Sequence, residues 1–280
     1  MNESNRPTGM AAFTVVWFGQ VISLFGTAMT QFALTIWAWQ ITGSATALAL
    51  VGTFTFAPSV LLAPIAGALV DRWNRKLVMM ISDLAAGLST VVILVLYVGG
   101  HLQIWHLYVA GAFTGAFQAF QWPAYSAAIS TMMPKAQYAR ASGMMSLADF
   151  GSGILAPILA GLLIGLVGIG GIMTIDVMTF VFAVAALLLV HIPQPRLTEA
   201  GQAGRGNLLQ ESVYGLRYIY ERPSLFGMQL VFLMGNLLSS FSWTMLAPMI
   251  LARTNSNAAL LGSVASSGAM GGVAGGLLLS

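Results

Sequence analysis

No charged residue stands between Arg6 and Asp71. A soluble chain cannot afford such a stretch, because ordinary domains carry roughly 25% charged residues to cover their surface. Across all 280 residues only 7% are charged and 58% are hydrophobic. The solvent for most of this surface must therefore be lipid. Uncharged apolar runs of about 20 residues read as membrane-spanning helices. A membrane β-barrel requires strict alternation of polar and apolar residues, which these runs lack. The chain reads as an all-α polytopic membrane protein, with the lipid bilayer as its main partner.

The excluded chemistry follows from the same inventory. Cysteine is absent, so disulfides, thiolate metal sites and cysteine nucleophiles are ruled out. His101 and His106 are five apart with no third ligand, a poor metal site. No phosphate loop, zinc-protease motif or Ser-His-Asp arrangement is present. The chain is expected to be no enzyme, to need no cofactor and to bind no nucleic acid. The N-terminus, "MNESNRPTGM", lacks the small-residue cleavage site of a signal peptide. The first apolar run is therefore expected to be a retained helix.

Charge and turn residues punctuate the remainder into spans. The expected spans cover 10–40, 45–69, 77–98, 104–128, 143–167, 171–191 and 224–251, and an eighth begins near Ala258. Ser44 is expected to cap the second helix. The fifth and sixth spans are divided at "GIGG". Alternating the sides puts Arg6, Arg72, Arg75, Lys76, Lys135, Arg140, Arg196, Arg205, Arg217 and Arg222 on one face, and only Arg253 on the other. Such asymmetry marks the cytoplasmic face. The N-terminus is expected there, in a cell (inner) membrane.

"TGSATAL" at 42–48 resembles "TNSNAAL" at 254–260, and both open a helix after a long apolar one. This maps the seventh span onto the first and suggests a parallel repeat of six helices. The expected organisation is a six-helix bundle over 1–191, a linker over 192–223, and the first two helices of a second bundle over 224–280. A full second unit would need about four more helices. Leu209, Val213, Leu216 and Tyr220 have helical spacing, which suggests a short amphipathic helix in the linker.

The charge-free opening ends in "GALVDRWNRK", residues 67–76. This stretch resembles the signature of the major facilitator superfamily between its second and third helices. Gly67, Leu69, Asp71, Arg72, Arg75 and Lys76 match, and Asn74 stands where the family usually has glycine. The resemblance implies the major facilitator fold and a gate at this turn. Gly67 is expected to let two helices approach closely. Asn74 is expected to tolerate a left-handed turn. Asp71 is expected to cap a helix or pair with an arginine.

"TIWAWQITGSATALAL", "AFQWPAYSAAISTMMPKAQYARASG", "GIMTIDVMTFVFA" and "ESVYGLRYIYERP" are similar to the macrolide-efflux and enterobactin-exporter branch. That similarity implies export of an amphipathic small molecule, driven by protons, by a protein monomeric at full length. In the fifth span Gly153, Pro157 and Gly161 loosely resemble the family's antiporter motif, with Ala156 in place of its glycine before proline. Related antiporters carry an arginine in the fourth span, and this sequence has none there. Import of a small solute, or a non-transporting sensor or scaffold, remains the alternative.

Three carboxylates fall inside spans, where each costs at least about 2.5–3.5 kcal/mol and invites a role. Asp83 lies roughly 9 Å into the third helix and is expected to pair with a base at the gate. Asp176 is expected to serve packing. Asp149, roughly 12 Å into the fifth, is nearest the midplane and is expected to line the cavity and titrate, or else to bond Ser146 or Ser152. Gln31, Gln118, Gln121 and Asn236 are further polar candidates for the cavity. Trp37, Trp39, Trp105 and Trp122 are candidates for an interfacial belt.

Overall fold

The computed structural model describes residues 9–70, 72–190, 192 and 217–279. Its long helices are α1 (Gly9–Thr42), α2 (Ala45–Val70), α3 (Arg75–Val98), α4 (Ile104–Met132), α5 (Tyr138–Leu189), α6 (Pro223–Arg253) and α7 (Ala258–Leu279). A single 3-10 turn, Lys135–Gln137, leads into α5. Five helices, α1, α2, α3, α5 and α6, are long and apolar enough to cross a membrane.

The α5 helix holds two spans in one element. At Gly168 the backbone takes φ 69° and ψ 178°, which is not helical and lies in the region glycine favours. The chain reverses there. Ala141 and Leu187, near opposite ends of α5, meet in one buried cluster. Ala156, Ala160, Ile169 and Ile172, on either side of the turn, meet in another. The expected break at "GIGG" is therefore a glycine turn between antiparallel arms, 138–167 and 169–189.

Those two clusters define the ends of a six-span bundle. The first gathers Phe13, Val70, Val78, Met79, Ala128, Met132, Ala141 and Leu187. It includes the start of α1 and α3 and the end of α2 and α4, so neighbouring helices alternate in direction. Arg72, Arg75, Lys76 and Arg140 belong to this end, here called the basic end. The second cluster gathers Met29, Trp37, Ile93, Leu107 and Met173 at the far end. Trp37 is only 7% exposed there, so it is a core residue and not the belt residue expected.

Small residues set how closely the helices approach. In α1, a β-carbon at Gly19 would lie 2.7 Å from Ala186, and one at Gly26 would lie 3.0 Å from the Asp176 backbone. These glycines are seven apart, two turns along one face, and seat α1 against the 169–189 arm. In α4, Gly111 and Gly115 both receive Thr55 of α2. In α3, a β-carbon at Gly87 would strike the Phe180 ring at 2.6 Å.

The second unit joins at the far end. Ile250, Leu251 and Leu261 bury themselves with Ile36, packed by Phe32, Trp39 and Ile164. Gly161 of α5 sits against Ala258 and Ala259, and Gly262 of α7 sits against the Pro157 carbonyl. Ser266 donates to the Ile154 carbonyl one turn deeper. Nearly every described residue from Arg217 to Ser242 is exposed instead. The two units thus touch at the far end, and the first half of α6, toward the basic end, is exposed. Of the linker over 192–223, Ile192 and residues 217–223 are described, and 217–220 are helical. Leu209, Val213 and Leu216 of the expected amphipathic helix lie outside the described residues.

Candidate functional site

The turn between α2 and α3 is built by backbone economy. The N–H groups of Arg72 and Trp73 both donate to the Leu69 carbonyl. Asn74 then adopts φ −68°, ψ 111°, and its side chain accepts from the Leu77 N–H at 3.2 Å. This corrects the expectation at Asn74: it is an extended N-cap, not a left-handed residue. Asparagine suits the place because its carbonyl oxygen satisfies a donor that the first turn of a helix leaves unpaired. Asp71 lies outside the described residues. A β-carbon at Gly67 would meet nothing within 4 Å among the described residues, so the close approach expected there is not made.

Two bases of the turn, Arg75 and Lys76, point back into their own bundle. Arg75 is buried, and its guanidinium donates to the Ala127 carbonyl of α4 at 2.7 Å. The Lys76 ammonium donates to the carbonyls of Val190 at 2.6 Å and Leu188 at 3.3 Å, at the end of α5. A helix C-terminus carries partial negative charge and unpaired carbonyls, so a cation there is stabilising. Trp73 stacks on Phe120 of α4, with ring centroids 6.2 Å apart. The turn is thereby fastened to α4 and α5 at the basic end.

The three intramembrane acids separate by environment. Asp176 is 2% exposed and takes hydroxyl donors from Thr27 and Thr90, each at 3.1 Å. It ties α1 and α3 to the 169–189 arm, which agrees with the packing role expected. Asp149 is exposed, and the Ser152 hydroxyl donates to its backbone carbonyl, not to its carboxylate. Asp83 is 8% exposed and departs from its expected role. Among the described residues it pairs with no base. Gln20 Nε2 donates to Oδ2 at 2.7 Å, and Gln121 Nε2 donates to Oδ1 at 2.8 Å. Gln121 Nε2 also reaches Gln20 Oε1 at 3.2 Å. Gln20 was missed by the sequence reading; its only signal was a polar amide within a charge-free span.

The remaining candidates stay apart. Gln31 and Gln118 are exposed on α1 and α4. Asn236 is exposed on α6 and donates to the Phe232 carbonyl of its own helix. Gly153 is exposed, whereas Gly161 is buried under α7. His106 is a helix-start residue: its Nδ1 accepts from the Gln103 N–H at 2.9 Å. No group of three or more metal-ligating side chains is found among the described residues.

Comparison with known proteins agrees with this architecture. The chain is 30% identical over 221 residues to macrolide efflux protein A of Streptococcus pyogenes, covering 78% of this chain and 54% of that protein. It is 28% identical over 220 residues to the MFS-type transporter YfiS of Bacillus subtilis, covering 79% of this chain and 48% of the other. It is 32% identical over 117 residues to multidrug resistance protein MdtG of Proteus mirabilis, covering 42% of this chain and 28% of that one. The chain spans about half the length of the macrolide efflux proteins it matches. A bacterial homologue of the human lysosomal transporter Spinster, solved inward-facing and unoccupied, superposes with a TM-score of 0.67 at 18% identity. That superposition covers 96% of this chain and 63% of the solved one, and shows a shared fold. The family model of the Major Facilitator Superfamily matches residues 16–280. With its alternating six-span bundle, its basic turn after α2 and a second unit joined at the far end, the chain belongs to the major facilitator superfamily.

Proposed function

We propose that the protein is a secondary transporter that exports amphipathic small molecules of the macrolide class, coupled to inward proton movement. The observation that carries this reading is the asymmetric joint between the units. They are packed through Gly161, Gly262 and Leu251 at the far end, while the first half of α6 is exposed toward the basic end. Alternating access requires such a joint, closed on one side of a central site and open on the other. Asymmetric placement of the bases supports a cytoplasmic basic end and N-terminus. The open side then faces the cytoplasm, ready to take up a molecule for export. Asp149, Gln31 and Gln118 supply polar contacts to substrate from the first unit, and Asn236 from the second. The turn carrying Arg72, Arg75 and Lys76, with Asp71, acts as the gate on the basic end. The working protein is a monomer.

The test is counterflow of a labelled macrolide in proteoliposomes holding the protein expressed from its complete coding sequence. Counterflow that Asp149→Asn weakens several-fold supports the reading. Absence of counterflow with macrolides and other amphipathic cations, in a folded protein, sinks it in favour of a sensor or scaffold.

A further inference from the structure

We infer that the coupling proton is carried by Asp83, clasped between Gln20 of α1 and Gln121 of α4, and that its binding loosens the tie of both helices to α3. This rests on the proton-coupled reading above, and it moves the titrating role from the exposed Asp149 to a buried group.

The first observation is a charge without a counter-charge. Asp83 is 8% exposed, and both carboxylate oxygens are taken by neutral amides. A buried, uncompensated carboxylate is costly in lipid and is relieved by a proton. No cation on the packed elements pairs with it. α1 has no charged residue at all. On α3, Arg75 and Lys76 are engaged with carbonyls of α4 and α5. On α4 the titratable groups are His106, Tyr108 and Tyr125, and on α5 Tyr138, Arg140, Asp149 and Asp176. Among the described residues the only ion pair joins Arg217 to Glu221.

The second observation is a vacancy of the opposite kind. Gln121 Oε1 is buried and accepts no hydrogen bond from the described residues. A buried acceptor left unpaired costs about 1–3 kcal/mol. A proton on the carboxylate relieves the first deficit, and it offers Oε1 a donor at the loss of the Gln121 Nε2 bond to Gln20 Oε1. It adds to Asp83 Oδ1 to form an O–H. When the Gln121 amide turns over, Oε1 accepts from that O–H in place of the amide N–H donating to the carboxylate. Loss of the proton from the same oxygen restores the clasp.

The geometry gives this chemistry a mechanical consequence. The three side chains come from three helices, and Asp83 lies eight residues past the start of α3, roughly 12 Å from the basic end. Hydrogen bonds to an ionised acceptor are roughly twice as strong as neutral ones. Protonation therefore weakens both ties of α3, to α1 and to α4, toward the basic end. Deprotonation tightens them. A group that binds a proton and sets the packing of two helices can convert a gradient into a bias between two states.

The experiment has two arms on the protein from its complete coding sequence. In proteoliposomes, Asp83→Asn is expected to keep macrolide counterflow and lose accumulation driven by an imposed pH gradient. Infrared spectra of protein labelled at the aspartate carboxyl are expected to show a protonated-acid band that titrates. That band disappears in Asp83→Asn, persists in Asp149→Asn and Asp176→Asn, and changes frequency in Gln121→Leu. The last variant retains the acid, so it decides the matter should Asp83→Asn not fold. Gradient-driven accumulation by Asp83→Asn equal to wild type, or a titrating band indifferent to Gln121→Leu, overturns the inference. Wild-type protein that catalyses no counterflow overturns the transport reading instead.

Discussion

Single residues in this molecule do work that their chemical type alone does not announce. Asn74 ends a loop by capping a helix. Lys76 closes the end of α5, a helix of 52 residues, from the first turn of α3. Hydrogen bonds to charged groups contribute about 1.5–3 kcal/mol, and Lys76 is only partly buried, so Lys76→Met is expected to cost near the lower figure in thermal unfolding in detergent. No loss of stability would mean the ammonium contact contributes nothing. Glycines divide in the same way. A β-carbon at Gly115 would collide with the Thr55 carbonyl, so Gly115→Ala is expected to destabilise by about 1–3 kcal/mol. A β-carbon at Gly143 meets nothing within 4 Å, and Gly143→Ala is expected to stabilise α5 by about 0.5–1 kcal/mol. The same thermal scans check both, and equal effects would contradict this assignment of roles.

Elements were the most legible scale. Lipid removes the alternatives: an apolar chain in a bilayer must satisfy its backbone internally, so charge and glycine alone mark where each helix ends. Hence α2 and α4 begin where the sequence placed them, and the first and third helices begin within a turn of it. What the sequence did not reveal depends on partners distant along the chain. Gln20 and Gln121 reach Asp83 from 63 and 38 residues away, and no local pattern records that. The expected base for Asp83 failed for the same reason, since sequence proximity to Arg75 and Lys76 says nothing about which carbonyls those cations face. The α5–α7 contact is likewise long-range. A β-carbon at Gly161 would lie 2.9 Å from the Ala258 carbonyl oxygen, so the joint has no room for a larger side chain. Gly161→Leu is expected to force α5 and α7 apart and to lower macrolide counterflow several-fold. Counterflow equal to wild type would show that this close joint is not needed for transport.

At the scale of the whole molecule, two units meet at the far end, and α6 is exposed toward the basic end. The bundle of α1 to α5 has a core at each end and polar ties between them, with Asp176 toward the far end and Asp83 toward the basic end. Family membership and architecture follow from the chain itself; direction, substrate and coupling are proposals that rest on the asymmetry of the joint and of the charges. The most direct test of proton-coupled export is uptake of a labelled macrolide into inverted membrane vesicles holding the protein from its complete coding sequence, with a pH gradient imposed, acid inside. The account predicts accumulation that collapses when a protonophore removes the gradient. Accumulation indifferent to the protonophore, or none beyond protein-free vesicles, would contradict it.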